Sequence, residues 1–152
     1  MADLKWKDGS STTTVLSTEL NSDVTAQLTV SAAIDNDAGL DLYCDIEVLH
    51  GTYGSSVTAG TKVADIYLLP TVDGTNYPTN DADSTTLYPE AKYIVGSCVK
   101  MSATGTGGMR SIITGVPLPA RDFKIAHLNT SGVTLAASGN TVIIRVYKAQ
   151  SV

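Results

Sequence analysis

Charge and aromatic residues are scarce in this chain. Among its 152 residues there is one Trp, one Phe, two His and two Cys. Asp, Glu, Lys and Arg together make 16%, where a typical domain has roughly 25%. Lys and Arg number 10 against 15 Asp and Glu, giving a net charge of −5, and they never form a run. A direct nucleic-acid binder needs a basic footprint, so that class is set aside. No stretch approaches the ~18 apolar residues of a membrane span, and the N-terminus carries no apolar leader core. The chain therefore reads as a soluble protein made in a cytoplasm. Cys44 and Cys98 stand far apart on apolar stretches, which suits buried reduced thiols better than a disulfide or a metal pair.

Catalytic signatures are also missing. No GxSxG elbow, HExxH pair or phosphate-binding glycine loop occurs. His50 and His127 lie at strand positions beside apolar residues and read as satisfied strand histidines. The glycine-rich stretch from Met101 to Met109 joins two strands and opens no helix, so it is expected to be a flexible hairpin end. The turn Asp35-Asn36-Asp37-Ala38-Gly39-Leu40-Asp41 superficially resembles a calcium loop, but its glycine is fifth and its twelfth residue is Ile46. An Asp/Asn turn is expected there on backbone grounds alone. Asp81 and Asp83 read as solvated loop charges. Nothing singles out a carboxylate pair for glycosidase chemistry. The expectation is a protein with no catalysis, cofactor or metal.

What the chain has in quantity is hydroxyl groups: 20 Thr and 14 Ser, beside a hydrophobic content of 43%. Thr is β-branched and suits strands. A surface of neutral hydroxyls is also cheaper to desolvate than one of ions, which favours coverage by another protein. At this length a single domain can bury roughly 70% of its unfolded surface without staples.

Period-two alternation dominates the chain, and no helical period lasts ten residues. Residues 25–34 place Ala26, Leu28, Val30, Ala32 and Ile34 on one face. Residues 40–50 place Leu42, Cys44, Ile46 and Val48 inward, with Asp41, Tyr43, Asp45 and Glu47 outward. Residues 62–69 are apolar on both faces, as a central or covered strand would be. Further strands are predicted at 92–101, 109–116, 122–129 and 141–148, with a first one near 14–20. Pro117 and Pro119 force a corner that no sheet ladder can run through, and Phe123 opens the return strand. Eight short strands with irregular connections predict an all-β, two-sheet antiparallel sandwich of jelly-roll type, with an Ig-like sandwich as runner-up. The domain spans 14–152, preceded by an N-terminal arm over 1–13 that carries Leu4 and the lone Trp6. Trp6 either folds back onto its own domain or anchors on a neighbouring subunit, and Leu4 and Trp6 are the arm's candidate partner-binding anchors. The longest connection, 71–90, carries Tyr77 and Tyr88, which can pin it to the sandwich or meet a partner.

The stretch IITGVPLPARDFKIAHLNTSGVTLAASGNTVIIRVYKA resembles the C-terminal half of small virion structural proteins of tailed bacteriophages. The segments DIYLLPTVDGTNY and KWKDGSSTTTVLSTELNS resemble the same group. What the resemblance implies is a capsid decoration (cement) protein located on the virion. It would assemble with itself as a homo-oligomer, commonly a trimer, and bind the phage major capsid protein. A carbohydrate- or receptor-binding module of the phage tail is the alternative, with Tyr43, Tyr53, Tyr77 and Tyr88 as its candidate aromatics.

Overall fold

The computed structural model describes residues 4–37, 41–78 and 80–151, with side chains for 12–37, 41–78 and 80–148. Its strands are β1 (Leu4–Leu16), β2 (Leu28–Val30), β3 (Tyr43–His50), β4 (Lys62–Pro70), β5 (Ile94–Val99), β6 (Met109–Pro117), β7 (Phe123–Asn129) and β8 (Thr141–Ser151). They form two four-stranded antiparallel sheets, ordered β1-β8-β3-β6 and β2-β7-β4-β5. Strand β1 lies beside β8, β2 beside β7, β3 beside β6 and β4 beside β5. The chain is thus one long hairpin, folded at the β4–β5 connection and rolled up until β8 meets β3 and β7 meets β4. This is the two-sheet jelly-roll order predicted from the strand pattern, and it is not the Ig-like arrangement.

Local patterning explains most of the strands. In β3 burial alternates residue by residue, with Cys44, Ile46, Val48 and His50 inward. Leu42 lies just before the strand and is 49% exposed, contrary to its predicted inward place. Strand β4 is buried from Val63 to Leu69, as its two apolar faces predict. It is an interior strand whose inner face joins the main core with Ile46, Phe123, Ile125 and Ile144. Each such side chain contributes about 1.5–3 kcal/mol by leaving water. The outer face of β4 joins a second cluster of Leu28, Tyr67, Leu69, Ala126 and Leu128, against which Tyr77, Tyr88 and Tyr93 pack. Cys44 and Cys98 are buried and free.

The proline corner behaves as predicted. Strand β6 ends at Pro117, opposite Tyr43, and β7 restarts at Phe123 in the other sheet. Buried Asn36 holds the corner: its Nδ2 donates to the carbonyls of Pro119 at 2.6 Å and Asp41 at 3.0 Å, and its Oδ1 accepts the Asp41 N–H at 3.0 Å. Asp35 Oδ1 accepts the Asp37 N–H at 2.8 Å, the local turn bond expected of this Asp/Asn cluster. Residues 38–40 of that turn lie outside the described residues.

Three expectations need correction. Residues 4–13, assigned to an arm, form the first ten residues of β1 and pair with β8, beginning at Leu4↔Ser151. The segment has no alternation of its own; the extended β8 supplies its template, and the Thr run is compatible with a strand. Thr18–Leu20, placed in that first strand, is instead a 3₁₀ turn. The second correction concerns 25–34, of which only Leu28–Val30 is strand. Ala26 sits in a turn at φ 62°, Ala32 is exposed, and Thr29 and Ser31 are buried. Both hydroxyls have internal partners: Thr29 Oγ1 donates to Asp23 Oδ2 at 2.6 Å, and Ser31 Oγ accepts the Ile125 N–H at 3.0 Å. Such bonds let a polar residue face inward where periodicity alone reads it as outward. Finally, the glycine-rich loop before Met109 is no hairpin end. It crosses from β5 in one sheet to β6 in the other.

Candidate functional site

The two sheets differ in what covers their outer faces. Over β2-β7-β4-β5 the 71–90 connection folds back. Leu28 pairs with Ser84 as an isolated bridge, Asp83 Oδ1 accepts the Val30 N–H at 2.7 Å, and Lys124 Nζ meets Asp81 Oδ2 at 2.8 Å. Tyr88 and Tyr77, predicted as partner anchors, are half-buried in this cover. The Tyr88 hydroxyl reaches the Ala26 carbonyl at 2.8 Å, and Lys124 Nζ sits 4.4 Å from the Tyr77 ring centre. At the loop's start Asp73 accepts the Thr75 and Asn76 N–H groups at 2.9 and 2.7 Å. Together with bonds from the Asn76 and Thr71 side chains, they hold its carboxyl well below the usual carboxylate range.

The outer face of β1-β8-β3-β6 has no such cover among the described residues. Strand pairing builds it rung by rung. Tyr147 and Tyr43 stand opposite one another, their rings stacked with centres 6.0 Å apart. The next rung runs Thr12, Arg145, Asp45, and the one after that Ile143, Glu47, Ile112. The residues of these last two rungs line a shallow depression of about 370 Å³. Ile112 is 58% exposed. The carboxylates already have partners: Asp45 Oδ1 accepts the Gly115 N–H at 2.9 Å and the Tyr147 hydroxyl at 3.3 Å, and Glu47 pairs with Arg110 at 3.5 Å. Both carboxylates are half-buried on this face. Sequence reasoning missed Ile112 and Ile143. Their signal was present in the doublets Ile112-Ile113 and Ile143-Ile144, since in a strand one of two consecutive isoleucines must face away from the core.

Of the other predicted residues, Leu4 and Trp6 lie on β1, opposite Ser151 and Ala149 of β8; their side chains are outside the described residues. Tyr53, offered as a sugar platform, is buried. Asp81 and Asp83 are not idle charges but fasten the 71–90 cover.

His50 and His127 form a polar centre that the sequence did not reveal. His50 points inward from β3 and His127 inward from β7, so the two meet between the sheets, Nε2 to Nε2 at 2.8 Å. Both are buried. His50 Nδ1 lies 2.8 Å from the Tyr53 hydroxyl, while His127 Nδ1 makes no hydrogen bond of normal geometry. One tautomer pair leaves no imidazole N–H unmet: His127 Nε2–H donates to His50 Nε2, and His50 Nδ1–H donates to Tyr53. Burial holds both rings below the ordinary histidine range, His50 at about 4 and His127 at about 3, the second also through its neighbour. Close by, the buried Lys100 ammonium donates to Ser102 Oγ at 3.0 Å and to the Gly107 carbonyl, 5.4 Å from the Tyr53 ring centre. Among the described residues, no three His, Cys, Asp or Glu side chains gather as a metal ion would require.

Comparison of the sequence with protein-family models and with curated proteins finds no match.

Proposed function

We propose that this chain is a structural protein that acts by surface attachment, as a bacteriophage capsid decoration protein bound to copies of itself and to the major capsid protein. One observation carries the reading. The sandwich covers the outer face of one sheet with its own loop, and among the described residues nothing covers the other, where Ile112 and Ile143 are set between hydroxyls and charges that already have partners. Covering such a face removes apolar area from water while leaving no new unpaired ion, so desolvation takes back little of the gain. The virion location and the trimeric assembly come from the resemblance of the sequence to phage structural proteins.

The test is the double substitution Ile112→Asp with Ile143→Asp. Both positions face outward, so the variant should keep its circular dichroism spectrum and lose self-association in sedimentation together with occupancy on purified capsids. Unchanged assembly and occupancy would remove this face from the proposal. The alternative, a carbohydrate- or receptor-binding module, has the Tyr43–Tyr147 stack beside Asp45 in its favour. A reproducible oligosaccharide hit on a glycan array, lost in Tyr43→Ala, would favour it instead.

A further inference from the structure

We propose that the His50–His127 hydrogen bond is an acid-labile bolt between the two sheets, and that its loss on protonation frees the end of the sandwich built from residues 51–61 and 100–108. The bond joins β3 of one sheet directly to β7 of the other. It needs one N–H and one lone pair at the Nε2···Nε2 contact. A first proton can sit on the bare Nδ1 of His127 and leave this bond in place, but once both rings are protonated an N–H stands on each side of the 2.8 Å gap and attraction becomes repulsion.

The surroundings cannot absorb the new charge. The titratable groups packed about the pair are Tyr53 from the β3–β4 loop, Lys100 at the end of β5 with its ammonium over the Tyr53 ring, and Cys98 of β5 beside Tyr53. Behind Thr29, which lies opposite His127 on β2, stands Asp23. Lys100 offers an amine donor, already spent on Ser102 and Gly107, and burial raises Tyr53 and Cys98 so that neither supplies a negative charge in the acid range. Asp23 is one residue removed and held by the Thr29 hydroxyl at 2.6 Å. Among the described residues, a histidine cation here has no carboxylate in direct contact to offset it.

Tyr53 transmits the event to the loops. Its hydroxyl rests on His50, while its own N–H donates to the Thr106 carbonyl at 2.7 Å. Around it the two loops are joined by the Val57–Gly105 bridge and the bond from Gly60 N–H to the Lys100 carbonyl at 2.8 Å. Displacing His50 removes the support on which this junction is built.

The experiment combines imidazole NMR with hydrogen exchange read by mass spectrometry from pH 7 to pH 3, on the full chain and on His50→Gln/His127→Gln. Expected in the unaltered protein are two rings that stay neutral down to pH 5, and loops 51–61 and 100–108 that lose protection at a higher pH than β1 and β8. In the double variant, once folding is shown by circular dichroism, loop opening should move at least one pH unit lower. Rings that titrate near pH 6.5 with the fold intact would overturn the proposal. So would loops and strands that open together, or a loop midpoint the variant leaves in place. If the variant does not fold, the ring titration and the order of opening in the unaltered protein decide alone.

Discussion

The Tyr88 hydroxyl lies 2.8 Å from the Ala26 carbonyl, and so ties the far end of the 71–90 connection to the turn that enters β2. Ala26 is itself held on its other side, its N–H donating to the Asn129 carbonyl at 2.8 Å. The same hydroxyl also reaches the Thr85 carbonyl at 2.9 Å, so one side chain fastens the cover to the sheet and to itself. Tyr88→Phe should cost about 1 kcal/mol, the net worth of a hydrogen bond. Tyr88→Ala should cost about 2–4 kcal/mol, because the ring also fills the outer cluster. Urea denaturation gives both values. Limited proteolysis should find new cleavage within 71–90 only in the alanine variant.

Two glycines are spaces that a methyl group would fill badly, and they should differ in severity. At Gly96 an added Cβ would lie 2.6, 2.8 and 3.0 Å from Cδ1, Cγ1 and Cγ2 of Ile113 in the facing sheet, so this half-buried side chain would have to shift as a whole. At Gly108 it would run into the main-chain oxygens of His50 and Gly51, which cannot turn aside. Gly96→Ala should cost about 1–2 kcal/mol and Gly108→Ala at least about 3 kcal/mol, following the cost of overpacking. Thermal unfolding of the two variants side by side checks the order.

Adjacent isoleucines should also part company. Ile113 packs against the core and Ile112 lies on the bare face. Ile113→Ala should cost about 2–4 kcal/mol, and Ile112→Ala less than about 0.5 kcal/mol of folding stability, as surface changes do. Equal losses in chemical denaturation would mean that the register of β6 against β3 is wrong.

How much of this was legible depended on whether the signal was local. The alternation from Cys44 to Val48, the double-faced apolar run of β4 and the proline corner before Phe123 are statements each segment makes by itself, and each led to the right element. The faces of 25–34 were misread because Thr29 finds its partner six residues back on Asp23 and Ser31 finds its own 94 residues on, at Ile125, and neither pairing is visible to periodicity. Strand β1 was missed from Leu4 to Thr13 because its regularity is borrowed from β8. The histidine pair is the extreme case. His50 and His127 are 77 residues apart, and only rolling the hairpin brings the inner faces of β3 and β7 together. The bare sheet face was half-legible. Its isoleucine doublets stand in the sequence, but which sheet the long loop would cover does not.

The pH dependence of stability follows from three buried groups that do not all pull the same way. His50 at about 4 and His127 at about 3 lie below the ordinary histidine value of 6.5. The unfolded chain therefore binds more protons than the folded one over that interval. Their contribution is complete above pH 6.5 and is lost as the pH falls toward 3. Asp23 has the opposite sign: burial raises it from 3.8 to about 6, so its contribution is complete below pH 3.8 and is lost as the pH rises through 6. Between pH 6 and pH 4 the two histidines outweigh the one carboxyl by about one proton, and stability should fall by about 1 kcal/mol for each unit of acidification. Asp23→Asn keeps an oxygen for the Thr29 hydroxyl to donate to and removes the opposing proton. The slope should then approach about twice that of the unaltered protein. Urea midpoints at pH 7, 6, 5 and 4 for both proteins measure it, and an unaltered slope in Asp23→Asn would show that Asp23 is not the group that opposes the histidines.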